Sequence, residues 1–60
     1  MDYTKLLSDY INKENDNKIV ISFSEHGNEI RIVYRYEGDS YTNDLTISLL
    51  DLLVFIYSTY

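Results

Sequence analysis

The chain has no cysteine, proline, tryptophan, alanine or glutamine, and its 60 residues include only two glycines and one histidine. Without cysteine there is no disulfide framework, the usual reinforcement of a small secreted domain, so a reducing compartment such as a cytosol is the expected setting. A single histidine (His26) and no thiol exclude a His/Cys metal cluster, and no glycine-rich stretch exists to cradle a phosphate. The longest apolar stretch, residues 49–57, is interrupted by Asp51 and falls well short of the ~20 residues a membrane span needs. Asp2, Lys5 and Asp9 break up the first turns, so no signal-peptide pattern is expected. Basic residues are missing altogether after Arg35.

That last absence organises what is present. The first 35 residues are nearly balanced, with six acids and five bases, so most of the formal charge of −5 falls downstream, on Glu37, Asp39, Asp44 and Asp51. Tyr36, Tyr41, Tyr57 and Tyr60 share that segment. A one-signed, tyrosine-rich surface attracts basic partners and repels phosphate. Hydrophobic residues make up 45% of the chain and recur periodically, which indicates a folded domain rather than a disordered segment. Asn, Lys, Ile, Tyr and Asp are abundant, all with AT-rich codons, as in AT-rich bacterial or phage genomes. Sixty residues make one small domain, which buries only about 60% of the surface its unfolded chain exposes.

Tyr3, Leu6, Leu7, Tyr10 and Ile11 form one stripe of a 3.6-residue period and predict a first helix, with Asp2 capping its free amides. Residues 12–17 end it, with an asparagine available for a left-handed residue. From Lys18 the period changes to two. Ile19, Ile21 and Phe23 alternate with Val20, Ser22 and Ser24. After a turn at residues 25–28, Ile30, Ile32, Tyr34 and Tyr36 alternate with Glu29, Arg31, Val33, Arg35 and Glu37. Residues 37–40 make a second turn, and a third strand through about Thr46 carries Tyr41, Asn43 and Leu45 on one side. Ser48 and Asp51 resemble a capping box, with Ile47 and Leu52 placed for a hydrophobic staple. Leu49, Leu52, Leu53, Ile56 and Tyr60 form the stripe of the last helix. The expected fold is α+β: helix, three-stranded antiparallel meander, helix, with both helices on one face of the sheet.

The last helix is apolar almost all round. Leu50, Val54 and Phe55 point away from its main stripe, and either the first helix covers them or they mark a surface for self-association. On the opposite sheet face, Lys18, Arg31, Arg35, Glu29 and Glu37 interleave and suit cross-strand ion pairing.

Catalytic chemistry finds little support. His26 falls in a turn, the serines and threonines lack a nearby histidine, and the Glu37/Asp39 pair flanks a turn glycine with no rigid pocket around it. The chain is therefore expected to be no enzyme, with no catalytic residue, metal or cofactor. Five scattered bases against ten acids also argue against direct nucleic-acid binding. Carboxylates presented along a turn can instead occupy the arginines with which a nucleic-acid-processing protein grips phosphate or bases, because carboxylate–guanidinium contacts are bidentate and charge-assisted. Tyrosine adds contact area at low entropic cost.

The segment Glu37-Gly38-Asp39-Ser40-Tyr41, set between two strands, after a helix ending in Asn12-Lys13-Glu14-Asn15-Asp16 and before an amphipathic helix, resembles the small acidic phage-encoded anti-CRISPR proteins that inhibit type II RNA-guided nucleases. The resemblance implies an acidic turn that blocks the cleft reading the protospacer-adjacent motif, where two arginines contact guanines. By position it implies Asp16, Glu37, Gly38 and Asp39 as contact residues, with Tyr41 in support. Asp44, from the same acidic segment, joins the expected partner-binding set. The expectation is thus a cytoplasmic inhibitor of a basic host protein such as a nuclease. The alternative is an interaction module that homodimerises through Leu50, Val54 and Phe55.

Overall fold

A computed structural model describes residues 3–59. Its elements are α1 (Tyr3–Ile11), β1 (Lys18–His26), β2 (Glu29–Tyr36), β3 (Thr42–Ser48) and α2 (Leu49–Thr59). The strands form one antiparallel sheet in the order β1-β2-β3. Leu6, Leu7 and Ile11 of α1 and Leu52 of α2 meet Ile30, Ile32 and Ile47, so both helices cover the same sheet face, as the α+β pattern predicts. The cap on Asp2 and the stripe position of Tyr60 lie outside the described residues.

Each junction has a local cause. At Gly27 φ is +62° while Asn28 stays negative, so the two-residue β1–β2 loop follows the type II′ pattern that suits a twisted hairpin. The Ser48 hydroxyl accepts the Asp51 amide at 3.1 Å and caps α2 directly from the end of β3. The end of α1 differs from expectation. Among the described residues no non-glycine has positive φ, so no asparagine there is left-handed. Instead the Asn12 side chain takes the place of a strand partner. Its Oδ1 accepts the Lys18 amide and its Nδ2 donates to the Lys18 carbonyl, each at 2.9 Å.

One irregularity corrects the expected face assignment of β1. Val20 pairs with Tyr34 and Ser22 with Val33, leaving Ile21 as an extra residue in a β-bulge. The bulge reverses the alternation, so Val20 and Phe23 pack against the core while Ile19 and Ile21 are exposed. Lys18, expected on the open face, pairs with Tyr36 on the helix-covered one, with its ammonium 5.6 Å from the centre of that ring.

The inner face of α2 is also rotated from expectation. Phe55 packs edge-on against Tyr10 of α1, ring centres 5.3 Å apart, and is half-buried. It therefore belongs to the core side, not to a self-association surface. Leu53, expected to face the sheet, is 59% exposed. Because α1 flanks α2 on its Phe55 side, the helix turns that side inward and Leu53 outward.

Candidate functional site

The chain reversals sort the molecule into two ends. The α1–β1 loop and the β2–β3 turn lie together, because the Glu37 amide donates to the Asn17 carbonyl at 2.8 Å. The β1–β2 loop and the start of α2 share the other end, where the Leu49 amide donates to the Asn28 carbonyl at 2.8 Å. The first of these ends holds Glu37 and Asp39 in its turn and Asp16 in its loop, three of the acidic residues singled out in the sequence.

Within the β2–β3 turn, the Asp39 amide donates to the Tyr36 carbonyl at 3.0 Å, and Gly38 adopts φ +85°. Positive φ at the third position is the type II pattern, which explains why glycine stands there and fixes the carboxylates of Glu37 and Asp39 on either side of the bend. The Asn17–Glu37 bond ties the end of the α1–β1 loop to this turn, while the neighbouring Asp16 lines a depression with Asp9, Asn12, Lys13, Phe55 and Thr59. Asp16, Glu37 and Asp39 are exposed, and among the described residues none has an ion-pair partner. Tyr41 lies just before β3 rather than within it, and is exposed beside the turn.

The bases here are occupied in ways that leave those carboxylates open. Lys13 and Lys18 lie over the rings of Tyr10 and Tyr36, at 4.1 and 5.6 Å from the ring centres. Arg35 donates to the Asp39 carbonyl oxygen at 3.2 Å, bracing the turn through its main chain. Asp44 does not join the group. It accepts from Arg31 at 2.6 Å across the open sheet face, beside Val33 and Thr42. The cross-strand ion pairing expected of that face is thus present as Arg31–Asp44, a pairing that the local β2 pattern does not disclose.

A second constellation went unseen in the sequence. The Ser24 hydroxyl lies 3.0 Å from His26 Nε2, contrary to the reading that no serine or threonine has a histidine at hand. The two residues alternate onto one strand face, and Glu29 is the cross-strand partner of His26. Ser24, His26 and Glu29 are all exposed on an open sheet face, so a reacting centre there would be open to water. Among the described residues no three His, Cys, Asp or Glu side chains converge to hold a metal ion. Among the described residues no helix is long and apolar enough to cross a membrane.

The helix-covered face supplies the groups with displaced titration. Tyr3 stacks on Phe23 with ring centres 5.0 Å apart, and its phenol pKa is raised by burial and then by the hydrogen bond and charge of Glu25. Burial raises Tyr34 as well, reinforced by Tyr36 and by the charge of Asp44.

The other outward feature is α2. Leu50, Leu53, Val54 and Tyr57, spaced i, i+3, i+4 and i+7, are 69%, 59%, 61% and 93% exposed and form one stripe opposite the core. Leu50 and Val54 were legible in the sequence as outward positions. Leu53 and Tyr57 take the place there that Phe55 was expected to hold. No protein-family model, curated protein or solved structure matches this chain.

Proposed function

We propose that the protein is a small cytosolic inhibitor, without chemistry of its own, that binds a basic nucleic-acid-processing protein through its acidic end. The observation that carries this reading is the Asn17–Glu37 main-chain hydrogen bond. It ties the α1–β1 loop, of which Asp16 is part, to the Glu37-Gly38-Asp39 turn, and the carboxylates of Asp16, Glu37 and Asp39 have no ion-pair partner among the described residues. Exposed carboxylates spread over a bend are complementary to guanidinium groups that otherwise bind phosphate. Tyr41 supplies apolar contact area and a hydroxyl beside them. Asp44 contributes background charge only, since Arg31 holds it. An RNA-guided nuclease of the host is the target that the likeness of the acidic turn to anti-CRISPR proteins suggests.

Capture from host lysate on the immobilised protein tests the reading. A basic nucleic-acid-binding protein is expected at low salt and is lost at high salt, because exposed charges are screened beyond roughly 8 Å at physiological ionic strength. The Glu37→Lys/Asp39→Lys variant, whose substituted side chains are exposed, is expected to keep its circular-dichroism melt and to lose the captured protein. Equal capture by the variant overturns the assignment of the turn.

A further inference from the structure

We infer that the outer face of α2 pairs with the same face of a second copy of this chain, the two helices running antiparallel about a twofold axis beside Leu53 and Val54. The inference does not rest on the acidic-end reading. Among the described residues nine large apolar side chains are exposed against seven in the core, and four of the nine form the single α2 stripe. Such a stripe exposes on the order of 500 Å² of side-chain surface. Two copies would therefore bury ~1,000 Å², at the lower bound for a specific interface.

The occupant follows from the chemistry of the stripe and its borders. The stripe holds no charge, so it offers no complement to a basic partner. An uncharged stripe meets its own copy without like-charge repulsion, as a self-complementary isologous contact allows. Asp51, in the first turn, is the only charged residue of α2. Lys13 of the same copy lines one depression with it, its ammonium over the Tyr10 ring. Antiparallel pairing opposes the two helix dipoles favourably and keeps the two Asp51 carboxylates apart. Parallel pairing sets the two Asp51 carboxylates side by side.

Sedimentation equilibrium on the full chain tests the pairing. A dimer is expected at high micromolar concentration in both low and high salt, since apolar burial carries it. The Leu53→Glu/Val54→Glu variant changes only exposed positions and is expected to keep its circular-dichroism spectrum. Its dimer dissociation constant is expected to rise at least ~100-fold. A monomeric wild type, or a dimer that the variant leaves unchanged, overturns the proposal. Orientation is read by disulfide trapping, for which the absence of native cysteine makes the chain suitable. Leu50→Cys mixed with Tyr57→Cys is expected to give a cross-linked mixed dimer, while each alone gives little. Cross-linking of like with like overturns the antiparallel arrangement, and no cross-linking in any mixture overturns the interface.

Discussion

Gly38 has φ +85° in a turn where no atom lies within 4 Å of the place a Cβ would occupy. Its cost of substitution is therefore conformational rather than steric. Gly38→Ala is expected to lower stability by about 1–2 kcal/mol, measured by urea denaturation, because an L side chain disfavours the left-handed region. An unchanged midpoint would show that the bend tolerates another backbone geometry. Titration provides a second residue-scale test. The Tyr3 phenol is raised above 10.0, chiefly by burial and then by Glu25. The folded chain therefore keeps a proton that the unfolded chain releases once pH passes about 10. The stabilisation is full below that pH and is lost as pH climbs through the raised folded value. Denaturation midpoints followed from about pH 8 to about pH 11 should fall, and Tyr3→Phe should make the fall shallower. An equally steep fall in the variant would assign the effect to other phenols, Tyr34 first among them.

At the scale of elements, α1, the meander and α2 were legible because each apolar stripe keeps one period over several turns or residue pairs. Sequence reading stumbled where a tertiary contact or an inserted residue changes the phase. In β1, Ile19, Ile21 and Phe23 read as one face, yet the bulge at Ile21 exposes the first two and buries Val20 with Phe23. A residue-by-residue alternation contains no sign of an added residue. Deleting Ile21 should restore a regular ladder, with Val20 and Phe23 still inward and Ser22 still outward. Cooperative thermal unfolding of the deletion variant is the expected result, and loss of the folded signal would show that the bulge is indispensable. In α2, the helix is apolar on so many sides that its own sequence does not select the inward one. Tyr10 of α1 selects it by packing on Phe55, and Leu53 and Tyr57 are left outside. The acidic turn was legible from its Gly38 bend, and the main-chain tie of that bend to the α1–β1 loop was not. The Asn17–Glu37 bond is made between main-chain groups, so no side-chain pattern announces it.

The whole molecule presents two unlike outward surfaces, a carboxylate-bearing end and an uncharged helical stripe, on a body of radius of gyration 11.3 Å. They are separable by mutation because neither Glu37 nor Asp39 belongs to α2. α2 runs from the end occupied by Asn28 toward the acidic end, so antiparallel pairing places the two acidic ends at opposite extremes of the dimer. Two such ends on one particle gain from effective concentration wherever a partner offers two basic sites. With a net charge of −5, such a particle is expected to be repelled by the phosphates of nucleic acid itself. The central claim, that carboxylates at this end substitute for a polyanion, is tested most directly by displacement. The partner captured on wild-type protein is challenged with duplex DNA, with the Leu53→Glu/Val54→Glu variant as a parallel bait. Release by DNA from both baits is the result expected if the acidic end occupies the nucleic-acid site. Retention of the partner at saturating DNA would contradict it.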